Sequence, residues 1–282
     1  MILFSKMQGT GNDFVVINCL NQYFNYSLGN FANFLCNRNF GVGADGVIYL
    51  FRSSIADFKM RIFNKDGTEA EMCGNGIRVL GKFLYEKNIT TKINLKIETL
   101  SGVKDISLIT ENKTVISVKV NMGMPYFEAS RIPVYLPREE LAKQYHTVSI
   151  EFEEETYQFD LVSIGNPHAV CFVEDLSKIN VDKVGAFVEN YKYFPNKINV
   201  EFVQVIDRSN LKVNVWERGV GRTISCGTGA CASSVCAIKK EMVNNNVTVQ
   251  LDGGRLHVSY DEENGIELSG GAEFCFEGRI DL

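Results

Sequence analysis

Two short stretches of the sequence, "EMCGNGIRVL" (Glu71–Leu80) and "ISCGTGACAS" (Ile224–Ser233), share one arrangement. In each, a cysteine is followed at once by Gly-x-Gly, and a run of residues with a helical pattern comes next. The two cysteines, Cys73 and Cys226, lie 153 residues apart. The sequence therefore predicts two thiols at the starts of two equivalent helices.

The same spacing recurs well outside the cysteine motifs. The segment "GTGNDFVVI" from Gly9 resembles "SIGNPHAVCF" from Ser163, and "KMRIFNKDG" resembles "LKVNVWERG", each at a separation close to 153 residues. A period of this length is too long for a solenoid, whose repeats span about 20–50 residues. It indicates two homologous halves, each a complete α/β unit.

The spacing of apolar residues predicts the same order of elements in both halves. Strands are expected at Phe14–Asn18 and Ala169–Val173, and helices at about Leu28–Asn37 and Val181–Tyr191. Alternating strands follow, then the cysteine with its helix, then closing strands. The turns between these strands are short, which favours antiparallel or mixed sheets. The helix after Cys226 is small and apolar on most sides, which is typical of a buried helix.

The composition excludes several classes of function. The chain has 282 residues and a net charge of −5, and no basic run suggests a nucleic-acid partner. No apolar stretch approaches the length needed to cross a membrane, and the first residues lack the pattern of a signal peptide. We therefore expect a cytoplasmic protein that binds neither nucleic acid nor membranes.

No cofactor is expected from the motifs. The eight cysteines form no C-x-x-C, and the three histidines are far apart in the sequence, so no metal site is predicted. The stretch "GVGADG" (Gly41–Gly46) matches G-x-G-x-x-G, but a strand-like segment follows it where a dinucleotide-binding fold needs a helix. A chain of this length also argues against a disulfide scaffold.

The positions of Cys73 and Cys226 suggest proton transfer. A helix N-terminus binds a carboxylate through its unpaired N–H groups, and it lowers the pKa of an adjacent thiol from about 8.5. If the two turns faced each other across a cleft between the halves, one thiolate could remove the α-proton of a bound amino acid. The opposite thiol could return a proton to the other face and so invert the carbon. An inert buried thiol is the usual interpretation of one such cysteine, but two at equivalent places argue against it.

Several segments resemble those of the diaminopimelate epimerases. They are "MQGTGNDFVVI", "RIFNKDGTEAEMCGNGIR", "IGNPHAV" and "WERGVGRTISCGTGACAS", and the resemblance continues into the closing "GGAEFCFEG". It therefore covers essentially the whole chain. The resemblance implies a cofactor-independent isomerase that interconverts LL-2,6-diaminopimelate and meso-diaminopimelate, a step of lysine and peptidoglycan precursor biosynthesis. It also implies a homodimer whose only other partner is this small-molecule substrate.

The resemblance also implies roles for individual residues. Cys73 and Cys226 are expected to be the catalytic acid–base thiols, and His168 and Glu217 are expected to tune or orient them. Residues expected to bind the reacting carboxylate through their N–H groups are Gly74, Asn75, Gly227 and Thr228. Residues expected at the distal amino-acid end of the substrate are Asn12, Asn64, Asn166, Asn199, Glu217 and Arg218. These types suit the task, because Arg binds a carboxylate in a fork and Glu or Asn oxygens accept from an ammonium.

The implied fold is α/β (α+β), with two pseudo-symmetric homologous domains that each curve a mixed or antiparallel sheet around a central helix. The N-terminal half is expected at residues 1–122, with Cys73, and a returning C-terminal strand at residues 272–282 would join it. The C-terminal half is expected at residues 123–271, with Cys226 and an extra strand-rich segment at Met124–Phe159. The acidic run Glu151–Glu155 in that segment is expected to be a solvated edge or turn.

Other interpretations remain open from the sequence. The nearest is another amino-acid racemase or isomerase of the same fold. A second is a thiol redox protein in which Cys73 and Cys226 form a switching disulfide. A third is a binding module without catalysis, although that would not explain the paired thiols.

Overall fold

The computed structural model describes residues 1–22, 25–137, 141, 143 and 145–281. The chain forms two compact units. One comprises Met1–Asn121 together with Ser269–Leu282, and the other comprises Met122–Leu268. We call them the N-terminal unit and the C-terminal unit. Residue 282 of the predicted returning strand, and residues 138–140, 142 and 144 of the predicted extra segment, lie outside the described residues.

The N-terminal unit is built from a mixed sheet and two helices. Its elements in chain order are β1 (Ile2–Gly9), β2 (Asn12–Asn18), α1 (Leu28–Cys36), β3 (Gly46–Phe51), β4 (Phe58–Asn64), β5 (Glu69–Ala70), α2 (Gly74–Glu86), β6 (Asn94–Thr99), β7 (Gly102–Glu111) and β8 (Thr114–Gly123). β2 pairs with β3 and β4 pairs with β6 in parallel, whereas β1–β2, β3–β4, β6–β7 and β7–β8 are antiparallel. The predicted mixture of pairings is confirmed.

The C-terminal unit repeats this architecture. Its elements are β9 (His146–Phe152), β10 (Glu155–Ser163), β11 (Pro167–Phe172), a short 3-10 turn (Leu176–Lys178), α3 (Val181–Glu189), β12 (Asn199–Asp207), β13 (Asn210–Glu217), β14 (Gly221–Thr223), α4 (Gly227–Lys239), β15 (Asn246–Leu251), β16 (Gly254–Asp261) and β17 (Gly265–Gly270). β11 pairs with β12 and β13 pairs with β15 in parallel, and β12–β13 and β15–β16 are antiparallel. The order and pairings from β2 to β7 thus recur from β11 to β16, which confirms the predicted duplication.

The last strand, β18 (Glu273–Ile280), belongs to the N-terminal unit. It pairs antiparallel with β1, from Ile2 opposite Ile280 to Gln8 opposite Glu273. The chain therefore returns to its first strand at its end, as the family resemblance implied.

Each unit encloses the helix that follows its cysteine. Almost every residue of α4 is buried, including Ala230, Val235 and Ala237. The helix packs against β10 to β13 and against β15 and β16. Small side chains allow this close approach, and each fully buried Val contributes about 1.5–3 kcal/mol through removal of apolar surface from water. The prediction of a buried helix after Cys226 is confirmed, and α2 is buried in the same way in the N-terminal unit.

The helix predicted at Val181–Tyr191 is shorter in the structure. α3 begins after Asn180, whose side chain accepts a hydrogen bond from the N–H of Lys183, and it ends at Glu189. The N-cap satisfies one of the N–H groups that have no partner within the helix.

The extra segment before β11 contains one hairpin. β9 and β10 pair antiparallel, with Glu155 opposite Phe152. The acidic run Glu151–Glu155 crosses their turn, where Glu153 has a φ of 55°. The prediction of a solvated edge or turn is therefore confirmed. Within the described part of the chain, we find no helix that is both long and apolar enough to cross a membrane.

Candidate active site

Both motif cysteines are N-cap residues. Cys73 precedes α2 and Cys226 precedes α4, each with an extended backbone (φ −141° and −129°). The sulfur of Cys73 accepts a hydrogen bond from the N–H of Gly76 at 3.4 Å, and that of Cys226 accepts one from Gly229 at 3.3 Å. A thiol here does what Ser or Asp does at most N-caps, because it accepts from an N–H that has no partner within the helix. The predicted placement of both thiols at helix starts is confirmed.

The second glycine of each motif is required by packing behind the helix. A Cβ on Gly76 would lie 2.9 Å from Cδ1 of Ile62, and a Cβ on Gly229 would lie 2.7 Å from Oε1 of Glu201. Both distances are shorter than a normal contact, so any side chain would displace its neighbour. The sequence alone suggested that these glycines open the turn to a ligand. The structure adds that, in both glycines, the α-hydrogen that a side chain would replace faces the sheet.

In the N-terminal unit, amide groups surround Cys73. Oδ1 of Asn12 lies 3.8 Å from the sulfur of the partly buried Cys73, and Nδ2 of Asn75 donates to the same oxygen at 3.5 Å. The other end of the Asn12 amide donates to Oδ2 of Asp45 at 3.0 Å. Because a carboxylate only accepts, Asp45 fixes which end of this amide faces the thiol. Three predicted site residues, Asn12, Cys73 and Asn75, therefore meet in one cluster.

Asn64 occupies the last position of β4 and is exposed. Its side chain donates to Oγ1 of Thr68 at 3.1 Å across the turn to β5. The repeat relates Asn64 to Glu217, the last residue of β13, by the same 153-residue offset. Its predicted contact with substrate stays a prediction.

Arg78 is a buried cation beside the N-terminal motif. Its side chain is fully buried, its Nη1 donates to the carbonyl of Gly74 at 3.0 Å, and its Nη2 donates to Oγ1 of Thr10 at 2.5 Å. These bonds tie the first turn of α2 to the turn between β1 and β2. No role is expected for Arg78 from the sequence, since an arginine one turn into a helix is ordinarily a surface residue.

In the C-terminal unit, Cys226 lies deeper and carboxylates surround it. Its residue is 5 % exposed, and its sulfur lies 3.4 Å from Oγ1 of Thr228. Burial raises the pKa of the Cys226 thiol well above its ordinary value, and the nearby charges of Glu217 and Glu201 raise it further. The hydrogen bonds from Thr228 and Gly229 act in the opposite direction and are outweighed. The expectation that the helix N-terminus would lower this pKa is therefore wrong for Cys226, because desolvation disfavours the thiolate more strongly.

Glu217 shares its hydrogen-bonding surroundings with Cys226. It hydrogen-bonds the thiol, and its Oε1 accepts from Oγ1 of Thr223 at 2.5 Å. Burial raises the pKa of Glu217 above its ordinary value, whereas the two hydrogen bonds and His168 lower it. A partly buried carboxyl group and a buried thiol that share a hydrogen bond are therefore two groups that compete for one proton.

His168 connects two further residues near Cys226. Its Nδ1 lies 2.7 Å from Oε1 of Glu201, and its Nε2 lies 3.0 Å from Oδ1 of Asn166. Nδ2 of Asn166 donates to Oγ1 of Thr228 at 3.3 Å. The predicted residues Asn166, His168 and Thr228 thus meet around the second thiol.

Asn199 and Arg218 lie at the edge of this cluster. The buried amide of Asn199 bonds backbone at both ends, since Nδ2 donates to the carbonyl of Pro167 at 2.8 Å and Oδ1 accepts from the N–H of Arg218 at 2.9 Å. Asn199 therefore fixes the backbone that carries Arg218. The guanidinium of Arg218 is exposed and forms no ion pair with any residue that the structure describes.

The first-turn N–H groups of both helices belong to predicted site residues. Gly74, Asn75, Gly227 and Thr228 occupy the first two positions of α2 and α4. Such N–H groups have no partner within their helix, and they lie at its positive end. This arrangement suits an anion such as a carboxylate. Among residues 1–22, 25–137, 141, 143 and 145–281, no three His, Cys, Asp or Glu side chains are grouped so that they could hold a metal ion.

Comparison with known proteins identifies the family. The model of the family described as diaminopimelate epimerase matches residues 4–128 and again residues 161–275, once in each unit. The chain belongs to the diaminopimelate epimerase family.

Individual relatives cover the whole chain. The chain is 43% identical over 282 residues to a diaminopimelate epimerase of Methanococcus maripaludis, which covers 99% of both chains. It is 40% identical over 280 residues to one of Acetivibrio thermocellus, at 99% and 98% coverage. Among solved structures, a hydroxyproline epimerase from Agrobacterium vitis superposes with a TM-score of 0.69 at 14% identity, covering 98% of this chain and 91% of that one. The last likeness shows the fold alone, which is the one that the sequence predicted.

Two residues of the site, Glu201 and Asp45, were named neither by the sequence patterns nor by the family resemblance. Both hold a residue that the resemblance named: Glu201 binds His168, and Asp45 binds Asn12. A signal for Glu201 was present, because it interrupts the apolar run of β12 ("NVEFVQV"), and the 153-residue offset relates it to Ile48. A charge where the other half has an aliphatic residue marks a difference in chemistry rather than in fold.

Proposed function

We propose that the chain is a diaminopimelate epimerase that interconverts LL-2,6-diaminopimelate and meso-diaminopimelate without a cofactor, in lysine and peptidoglycan precursor biosynthesis. The observation that carries the proposal is the pair of N-cap cysteines, Cys73 and Cys226, each at the start of a buried helix and each beside side chains suited to an amino acid. The names of the relatives that span the chain at 40–43% identity support this substrate.

The proposed mechanism uses two sulfur atoms. With LL-diaminopimelate, the thiolate of Cys73 takes the α-proton, and the thiol of Cys226 gives its proton to the opposite face of the carbon. Cys73 ends as a thiol and Cys226 as a thiolate, which is the form needed to act on meso-diaminopimelate. The raised pKa of Cys226 supports this assignment, because a thiol that resists ionisation starts the cycle as the acid.

The carboxylate of the reacting carbon is proposed to bind the first-turn N–H groups of α2 and α4. Negative charge develops on this carboxylate as the α-proton leaves, and it then resembles an enediolate. Donors fixed in place before the reaction stabilise such charge without reorganisation. The N–H groups of Gly74, Asn75, Gly227 and Thr228 suit this role because the helices hold them rigidly.

The distal amino-acid end of the substrate is proposed to be recognised by the remaining predicted residues. Arg218 offers an exposed guanidinium without an ion pair among the described residues, and Asn199 holds the backbone of Arg218 in place. Asn12, Asn64 and Asn166 supply amides, and Glu217 supplies a carboxyl group that can accept from the substrate ammonium. His168 and Glu217 are proposed to orient or tune the thiols, and the hydrogen bond that Glu217 accepts from Cys226 supports this role for Glu217.

The experiment that tests the proposal is incubation with LL-diaminopimelate in heavy water, followed by chiral separation and mass spectrometry. With two acid–base groups, early deuterium should appear mainly in the meso product, because the group that delivers the new proton has exchanged with solvent. Early deuterium mainly in recovered LL substrate would indicate a single base and would overturn the two-thiol mechanism. Conversion of proline or hydroxyproline with no conversion of diaminopimelate would favour another isomerase of the same fold.

The proposal includes three further properties, which the sequence and the family resemblance together led us to expect. They are a cytoplasmic location, a homodimer, and one catalytic cysteine in each of two homologous domains, with the returning strand joining the first. Sedimentation of the purified protein tests the dimer, and cell fractionation tests the location.

A further inference from the structure

Glu201 is a buried carboxyl group to which neither the sequence nor the family resemblance assigned a role. It is the third residue of β12, and its side chain is fully buried. Its Oε1 contacts Nδ1 of His168, while Oε2 has no hydrogen-bond partner among the described residues. An oxygen left without a partner inside a protein costs roughly 1–3 kcal/mol. Because the unpaired Oε2 costs stability, we look for the role of Glu201 in the contact of its Oε1 with His168.

The bond to Glu201 determines where the protons of His168 lie. Oδ1 of Asn166 can only accept, so Nε2 of His168 must carry a hydrogen and donate it across the 3.0 Å contact. The contact between Nδ1 and Oε1 then holds one further proton, on the imidazole or on the carboxyl group. In either case the pair has no net charge, and Nε2–H donates to Asn166.

The amide of Asn166 links His168 to Thr228, whose hydroxyl lies beside the sulfur of Cys226. Because its oxygen is engaged by His168, its Nδ2 group faces Oγ1 of Thr228 and donates to it at 3.3 Å. The oxygen of Thr228 thereby accepts, which leaves its own O–H free to turn to the sulfur of Cys226 at 3.4 Å. Each group in this series accepts on one side and donates on the other, and the series ends at the sulfur.

We propose that Glu201 is a positioning residue that, through His168, Asn166 and Thr228, keeps a hydroxyl hydrogen pointed at Cys226 and so stabilises its thiolate. We call this series the Glu201 relay. Its catalytic consequence rests on the proposed function, whereas its effect on the thiol does not. The relay has most effect when Cys226 acts as the base, since a hydrogen bond donated to sulfur favours the charged form.

The other half of the chain shows that the fold does not require the pair. By strand register, the positions of His168 and Glu201 correspond to those of Phe14 and Ile48, at offsets of 154 and 153 residues. Both are buried apolar residues, and Ile48 lies beside Gly76 in the first turn of α2. In the N-terminal unit an aromatic and an aliphatic side chain therefore occupy these two positions without loss of the fold. The same pair of side chains can be introduced in the C-terminal unit as a matched substitution.

The sign of the effect on ionisation follows from the groups around Cys226. Those that bear on its charge are Glu217, Glu201, Thr228 and the N–H of Gly229, and Glu201 also acts on Cys236 of α4. The hydroxyl of Thr228 lowers the pKa of Cys226. The charge of Glu201 by itself raises the pKa of Cys226, but the proton that Glu201 shares with His168 leaves the pair neutral. Removal of both residues together therefore changes the net charge little, and the main change is loss of the directed hydroxyl. The thiolate of Cys226 should then form only at a higher pH.

The experiment compares wild type with His168→Phe/Glu201→Ile and with Glu201→Gln. Alkylation by iodoacetamide is followed against pH, with mass spectrometry of the peptides that contain Cys226 and Cys73. In the double variant the pH profile of Cys226 should shift upward, and kcat/KM should fall about 10- to 100-fold, by analogy with outer-shell residues that orient the ligands of a metal site. Glu201→Gln should stay close to wild type, because its amide can donate to Nδ1 and leaves Nε2–H in place.

A second variant keeps the test decisive if the double variant does not fold. Thr228→Val removes the last hydroxyl of the Glu201 relay, and it should shift the Cys226 profile upward while Thr228→Ser restores it. Where both variants fold, their combination should shift the profile no further than Thr228→Val alone, because the two changes break one series. An unchanged Cys226 profile in either variant, or additive shifts in the combination, would overturn the proposal.

The alkylation profile separates this proposal from the proposed function. If the wild-type protein does not act on diaminopimelate, the proposed function is contradicted. The pH profiles of Cys226 alkylation then still test the Glu201 relay. If the protein acts on diaminopimelate but substitutions at Glu201, His168 and Thr228 leave the pH profile of Cys226 alkylation unchanged, only the Glu201 relay is contradicted.

Discussion

The N-terminal and C-terminal units carry the same Cys-Gly-x-Gly turn on different backgrounds. Behind the turn of Cys73 lie Ile62 and Ile48, so the second glycine faces hydrocarbon. Behind the turn of Cys226 lies the carboxyl group of Glu201. The backbone, the helix and the N-cap geometry are alike, and the second thiol lies near the carboxyl groups of Glu217 and Glu201.

The difference teaches that a duplicated fold can divide two roles between equivalent positions. A two-base inversion needs one group that starts as a base and one that starts as an acid. Two thiols in identical surroundings would ionise together and could not be assigned to these roles in advance. Burial and two carboxylates raise the pKa of the Cys226 thiol, whereas partly exposed Cys73 has amides beside it.

The largest effect is expected from the cysteines themselves. Cys73→Ser and Cys226→Ser should each lower kcat/KM by about 10²- to 10⁴-fold, because a serine hydroxyl is far too weak an acid to exchange protons at neutral pH. The loss should be equal in both directions, since a catalyst leaves the equilibrium constant unchanged. Coupled assays started from the LL and the meso isomer measure it. Cys36→Ser, a buried cysteine outside both motifs, is the control for general damage, and equal loss in that variant would count against a special role of the pair.

The next effect sharpens the comparison between the glycines. Gly229→Ala would press a methyl group against Glu201, whereas Gly76→Ala would press it against the flexible end of Ile62. Overpacking typically costs 1–3 kcal/mol, and a terminal methyl can yield more easily than a hydrogen-bonded carboxyl group. We expect Gly229→Ala to lower the free energy of unfolding by more than Gly76→Ala, as measured by urea denaturation. Equal losses would mean that the two backgrounds do not differ in rigidity.

A smaller effect concerns the ionisation of Cys226. A thiol with a raised pKa stays protonated to a higher pH, so alkylation of Cys226 should begin at a higher pH than alkylation of a cysteine peptide. Glu217→Gln removes a charge that opposes the thiolate, so the Cys226 profile should move downward in pH. The peptide with Cys73 in the same sample is the internal control. An upward movement would show that the bond from Glu217 matters more than its charge.

The smallest effect is expected at the other thiol. Asp45→Asn lets the side chain at 45 either donate or accept, so the Asn12 amide is no longer held in one orientation. Loss of one such bond costs about 0.5–1.5 kcal/mol, and we expect a fall in kcat/KM of that size, about 2- to 12-fold. Steady-state kinetics measure the fall, and a loss as great as that of Cys73→Ser would mean that Asp45 does more than orient Asn12.

Much of the fold followed from local pattern. The offset that relates the two cysteines also relates β2 to β11 and α2 to α4, and each predicted strand or helix lies within a few residues of its place. Helix α3 ended two residues early, at Glu189, because the apolar pattern on which the prediction rested continues to Tyr191 while the backbone turns at Asn190. The spacing of apolar residues predicts which side chains are buried, but it predicts the last residue of a helix less well.

The sequence by itself determined the duplication, the position of the two thiols at helix starts and, through the family resemblance, which residues to examine. Only the tertiary structure decided the surroundings of each thiol. Glu201 is 25 residues from Cys226 in sequence, yet its carboxyl group lies against Gly229 and His168. Burial and charge act through space, so the pKa of Cys226 depends on strands that the motif does not contain. The motif supplies two equivalent thiols, and the packing around Cys226 raises the pKa of that thiol.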